Sequence, residues 1–139
     1  MATPVISERT IPIANQSDVE QARREARALC RALGWPAIDE EVVALAVSEL
    51  ATNLLRYARN GRLGLRTVQE ARAWGVEVRS DDDGPGIADL SLAFTDGYSS
   101  SGGLGGGLPS VRRVMDTFTI SSGPEGTRIV TCKWNRPSK

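Results

Sequence analysis

The chain has 139 residues, 40% of them hydrophobic and 24% charged, with 17 Lys and Arg against 17 Asp and Glu for a formal net charge of zero. That length suits one domain around one core, residues 1–139 throughout, and the even charge argues against a general nucleic-acid or anionic-membrane surface. Histidine is absent, which removes the commonest general base, the commonest transition-metal ligand and any histidine phosphoacceptor.

No apolar run approaches the ~20 residues of a membrane span. Met1 to Arg9 has no basic segment leading into an apolar one, so no signal peptide is expected, and the expected location is cytoplasmic. Two cysteines are too few for a disulfide framework. Cys30 falls on an apolar helix face and Cys132 in a strand-like run, so both read as small core residues.

Ser7 to Ala14 alternates polar and apolar residues and predicts a strand with Ile11 and Ile13 on one face. Ser17 and Glu20 have the spacing of a capping box. Behind them Val19, Ala22, Ala26, Leu29, Cys30 and Leu33 recur at helical spacing, with Gly34 as the stop and Pro36 preventing continuation. A second helix is predicted from about Asp39 to Arg59, ending at Asn60-Gly61, with Val43, Ala46, Val47, Leu50, Leu54 and Tyr57 as its apolar stripe. Leu63–Val68 and Ala73–Ser80 predict an antiparallel strand pair joined by residues 69–72, with Val76 and Val78 facing inward. Helical residues resume at Leu108. Phe118–Ser122 and Thr127–Trp134 then predict two strands about a turn at Gly123-Pro124-Glu125-Gly126. Antiparallel-type strands beside segregated helices predict an α+β two-layer sandwich, with a mixed, mostly antiparallel sheet and its helices on one face.

More than half of the 14 glycines lie between Gly84 and Gly107. Such crowding costs folding entropy and needs a reason, either unusual backbone angles or something approaching the backbone closely. A glycine loop feeding a helix N-terminus suits a phosphate chain; the alternative is a mobile surface loop. On the second helix Glu49 and Asn53 stand four residues apart, displaced by ~40° and ~6 Å along the axis. Both lie at one border of the apolar stripe, where they either look into the seam between helix and sheet or form a solvated edge.

Taken together, these stretches resemble a known superfamily. Ser48-Glu49-Leu50-Ala51-Thr52-Asn53 resembles the N box of the GHKL superfamily, which includes gyrase, a heat-shock chaperone, histidine kinases and MutL. Asp82-x-Gly84-x-Gly86 resembles its first glycine box, Gly103-x-Gly105-x-Gly107-Leu108 its second, and Gly126-Thr127 its late element beside the adenine pocket. The chain most resembles the small bacterial serine kinases of partner-switching systems, especially the RsbT type of the stressosome, from about Asp18 to Trp134. The segment between the glycine boxes is short, so the long ATP lid of larger members is missing.

The resemblance implies the Bergerat-type ATP-binding fold and a protein-serine kinase using ATP and Mg²⁺. Asp82 would accept from the adenine amino group, supported by Thr127, with Gly84 and Gly86 letting the backbone pass close to the base. Gly102, Gly103, Leu104, Gly105, Gly106, Gly107 and Leu108 would hold the nucleotide, the glycines wrapping its phosphates. Asn53 would place its amide oxygen on Mg²⁺, and Glu49 would take the acceptor hydroxyl's proton. Arg112 and Arg113, just after the second box, read as surface residues. The implied partners are a STAS-domain antagonist as substrate and a phosphatase that the released kinase activates, with no nucleic acid and no membrane. The alternatives are an anti-sigma factor with serine kinase activity and a non-catalytic, nucleotide-dependent binding module.

Overall fold

The computed structural model describes residues 5–84 and 107–135. Strand β1 (Val5–Pro12) leads into α1 (Gln16–Ala32) and α2 (Ala37–Tyr57), followed by β2 (Arg62–Glu70), β3 (Ala73–Asp82), α3 (Leu108–Val114), β4 (Thr117–Gly123) and β5 (Gly126–Asn135). The five strands form one sheet in the order β1-β2-β3-β5-β4, with every neighbouring pair antiparallel. This is the α+β two-layer arrangement that the pattern of strands and helices predicts. No helix among the described residues is long and apolar enough to cross a membrane.

Register explains why one sheet face is apolar. Leu65 lies opposite Val78 and Thr67 opposite Val76, and all four are buried. Directly opposed residues share a face, so this row meets Val43, Val47 and Leu50 of α2 and Val19 and Ala22 of α1 in one core. Leu50, Leu63 and Leu65 are among its largest fully buried side chains, and truncating such a leucine to alanine costs ~2–5 kcal/mol. The opposite face is charged: Arg66 grips Glu77 through two contacts of 2.7 and 3.2 Å, and Arg128 holds Asp81 at 2.7 Å. Cys30 and Cys132 are buried and free, and burial pushes both thiols up to about 12, so both are inert at neutral pH.

The helix ends differ from expectation in instructive ways. The capping box is not Ser17 with Glu20 but Asn15 with Asp18: Asn15 Oδ1 accepts from the Asp18 N–H at 3.1 Å, and the Asp18 carboxylate accepts from the Asn15 N–H. The Ile13 N–H donates to the Gly61 carbonyl at 2.9 Å, which holds the chain beside β2 until just before the turn, so the helix starts at the first available cap. Gly34 ends α1 as expected, at φ +72°. The Gly34 N–H donates to the Arg31 carbonyl and the Trp35 N–H to the Cys30 carbonyl, the paired bonds of a Schellman stop.

Helix α2 is shifted toward the N-terminus by two residues at each end. Its first turn starts from Pro36, whose carbonyl accepts from Asp39 and Glu40. At the other end a side chain at Gly61 would lie 3.0 Å from Leu54 Cβ, so the chain must already have turned back to cover Leu54. Tyr57, predicted for the apolar stripe, is 59% exposed, because burial along the stripe stops at Leu54. Between α1 and α2, Arg27 and Arg31 both bond the Glu40 carboxylate at 3.0 Å, and these bonds hold its carboxyl below the usual range.

One extension matters for the site. Strand β3 runs two residues past its predicted end at Ser80, which brings Asp82 into the ladder directly opposite Thr127.

Candidate active site

Three consecutive aspartates, Asp81 to Asp83, stand at the end of β3 and just past it, and the structure separates their surroundings. Asp81 turns to the charged face and binds Arg128. Asp83 is held by the turn after α2: its N–H donates to the Arg59 carbonyl at 2.9 Å and its carboxylate meets Asn60 at 3.3 Å and Arg62 at 3.5 Å. Asp82, between them, is half-buried on the helix-side face. Its Oδ1 accepts from the Gly84 N–H at 2.7 Å, so Oδ2 is the oxygen left to meet a ligand.

Thr127 pairs with Asp82 on one side and with Ser122 of β4 on the other. The hydroxyls of Thr127 and Ser122 share a 2.7 Å hydrogen bond in which either can donate. A carboxylate and two hydroxyls thus lie in a row across three strands, perpendicular to the chain direction. The preceding Gly126 permits this approach: at φ +142°, any Cβ there would overlap the Asp82 carbonyl oxygen.

Helix α2 supplies the second group. Glu49, Asn53 and Arg56 fall within ~60° of one another on the helix. Glu49 is only 8% exposed, so the solvated-edge reading does not hold for it, whereas Asn53 is half-buried. Desolvation pushes the Glu49 carboxyl above its ordinary range, and the backbone N–H of Gly107, hydrogen-bonded to it, and the Arg56 charge pull it part of the way back. A carboxylate made more basic by burial, and held in place by one N–H, is suited to accept a proton.

Gly107 is the N-cap of α3, at φ +65°. Leu108, Pro109, Ser110 and Val111 are all buried, and Leu108 and Val111 pack into the same core as Leu50 and Leu54. The start of α3 offers fewer donors than a bare helix end would. Proline at position 109 has no N–H, the Ser110 N–H donates to the Gly107 carbonyl at 3.1 Å, and that of Gly107 itself is engaged by Glu49. Arg112 and Arg113 are exposed, as expected. Gly86, Gly102, Gly103, Leu104, Gly105 and Gly106 lie outside the described residues.

The order and placement of these groups agree with a match to the histidine kinase-like ATPase domain over residues 13–133. The chain belongs to that family. Within the histidine kinase-like ATPases it is 39% identical over 127 residues to the serine/threonine-protein kinase RsbT of Bacillus subtilis strain 168, covering 91% of this chain and 96% of that one. The solved RsbU and RsbW domains of Rv1364c from Mycobacterium tuberculosis superpose with a TM-score of 0.66 at 16% identity, covering 96% of this chain and 34% of that longer one. The histidine kinase domain of the blue-light activated kinase EL346 from Erythrobacter litoralis gives 0.52 at 22% identity, covering 96% and 68%. At these identities the two structures speak for the fold alone.

Two neighbours of these groups, Arg56 and Ser122, fall in none of the motifs read from the sequence. Arg56 was legible as the next turn of the Glu49–Asn53 strip. Ser122 was legible only through the hairpin: with residue 123 opposite 126, residue 122 must face 127.

Proposed function

We propose that this chain is a protein-serine kinase that uses ATP and Mg²⁺ to phosphorylate a STAS-domain antagonist in a stress-response partner switch, and that on release it activates a phosphatase. The observation that carries the reading is the buried Glu49 carboxylate, hydrogen-bonded by Gly107 and set one helical turn before Asn53. A binding module has no use for a desolvated base beside its ligand. The family supports ATP as the nucleotide, and the RsbT relative supports the kinase activity; the switching role rests on the resemblance of the motifs. The domain fills residues 1–139 and acts in the cytoplasm.

The residues divide the work of phosphoryl transfer, which is mostly positioning and charge neutralisation. Asp82 Oδ2 accepts from the adenine amino group, while Oδ1 stays on Gly84. Thr127 stands beside it on the same face. Glu49 accepts the proton of the incoming serine hydroxyl as that oxygen bonds to the terminal phosphorus and the bond to ADP breaks. The Arg56 charge acts on the Glu49 carboxylate and favours its ionised form against the larger effect of burial.

The donors fit a hard cation that draws most of its ligands from phosphate oxygens and water. Asn53 offers an amide oxygen, and among the described residues no group of three or more His, Cys, Asp or Glu side chains could cage a metal. Bound there, Mg²⁺ would neutralise phosphate charge, with Asn53 as its protein ligand.

Incubation with labelled ATP, Mg²⁺ and candidate STAS proteins tests the reading. A STAS protein labelled on serine is the expected result. Nucleotide binding without label transfer to any of them would overturn the kinase assignment.

A further inference from the structure

The row Asp82, Thr127, Ser122 contains a group that no nucleotide-binding motif of this chain includes. Ser122 sits on the edge strand β4, half-buried, two strands away from Asp82, so about 10 Å separates the two backbones. Its hydroxyl is bonded at 2.7 Å to that of Thr127, which stands between it and Asp82.

The chemistry of that chain of hydroxyls is directional. Adenine presents its amino group, a donor, beside a ring nitrogen, an acceptor. Asp82 is acceptor-only and suits the amino group. The neighbouring ring nitrogen then needs a donor, which a hydroxyl in direct contact with it supplies. The Thr127 hydroxyl has one proton. If that proton goes to Ser122, Thr127 turns lone pairs toward the ring nitrogen and repels it. If Ser122 donates instead, the Thr127 proton is released toward the base.

We infer that Ser122 is a positioning residue for base recognition: by donating to Thr127 it makes the Thr127 hydroxyl a donor toward the purine edge beside Asp82. The inference rests on the ATP-binding reading above. It makes base selection the work of three strands rather than of one aspartate. A guanine edge, which offers an acceptor and then a donor in these positions, meets the wrong partner at both Asp82 and Thr127.

The test is calorimetric titration of the full chain with ATP and with 1-deaza-ATP, in which carbon replaces that ring nitrogen. Ser122→Ala should weaken ATP binding by about three- to tenfold, the range of one net hydrogen bond, and leave 1-deaza-ATP within about twofold. Ser122→Thr should restore wild-type preference, and Ser122→Ala should add nothing in a Thr127→Val background. Should the alanine variant fail to fold, Ser122→Cys, similar in volume and a weak donor, supports the same comparison. Equal losses on both nucleotides, or no loss on ATP, would overturn the role of Ser122 while leaving the nucleotide reading intact. A wild-type chain that binds neither nucleotide would overturn that reading and this inference together.

Discussion

A Cβ placed on Gly126 would overlap the Asp82 carbonyl oxygen, so β3 and β5 touch backbone to backbone beside the Asp82–Thr127 pair. Gly126→Ala therefore meets both a collision and a φ of +142° that alanine avoids. It should cost more than ~2 kcal/mol and displace Asp82. Urea unfolding checks this, and an unchanged midpoint would contradict the close approach.

Asp82→Asn should abolish ATP binding in a folded protein. The asparagine oxygen can still accept from the Gly84 N–H, as Oδ1 does now at 2.7 Å, so the turn survives. The amide NH₂ then faces the adenine amino group, donor against donor. Calorimetry on the folded variant decides, and wild-type affinity would remove Asp82 from the pocket.

Glu49→Gln and Asn53→Ala should fail differently. Without its base the first should still bind Mg·ATP and lose ~10²–10⁴ in transfer rate. The second should lose Mg²⁺-dependent binding or its productive geometry. Single-turnover transfer and nucleotide titration separate the two. A Glu49→Gln chain transferring at the wild-type rate would make Glu49 a structural carboxylate.

Two glutamates of α2 should pull stability in opposite directions with pH. Glu49 is raised, first by desolvation, so the folded chain holds that proton to higher pH than the unfolded one, and its contribution declines as pH rises past the ordinary glutamate range. Glu40 is lowered, first by its bond to Arg31, so its contribution is full above that range and is lost as pH falls through it. Melting curves should show Glu49→Gln more stable than wild type at neutral pH, with the gain vanishing in acid. Glu40→Gln should be less stable at neutral pH, with the deficit vanishing in acid. Parallel pH profiles for all three proteins would refute both assignments.

The partner switch predicts that STAS substrate and phosphatase compete for one surface. One standard interface takes ~800 Å² per partner, which leaves room for two elsewhere; overlap is expected because the target serine must reach the proposed base, Glu49. Adding unphosphorylated STAS partner to a preformed kinase–phosphatase complex should displace the phosphatase. A ternary complex stable at saturation would end the exclusive switch and leave the kinase reading standing.

The layers of the fold were legible because periodicity of 3.6 and of 2 reports burial directly, as with Val43, Val47 and Leu50, or Val76 and Val78. What escaped was decided by contacts distant in sequence. Asn15 and Ser17 are both good caps, and the Ile13–Gly61 bond chose between them. Helical spacing put Glu49 at a border, and only the arrival of Gly107 and the packing of α3 on α2 made that border an interior. The three aspartates are identical as letters, and their partners Arg128, Asn60 and Arg62 separate them.

The Asp82–Thr127–Ser122 row crosses the sheet as a single rung, and under the proposed function that makes nucleotide affinity a gauge of strand alignment. A slip of one residue between β3 and β5 would send the Thr127 hydroxyl to the charged face and dismantle the rung at once. A chain that binds ATP has therefore already paired its central strands correctly. Because ligand held by the native state alone stabilises it by RT ln(1 + [L]/Kd), ATP present during refolding would draw misaligned sheets toward the proper pairing, so the substrate would also proofread the fold that holds it.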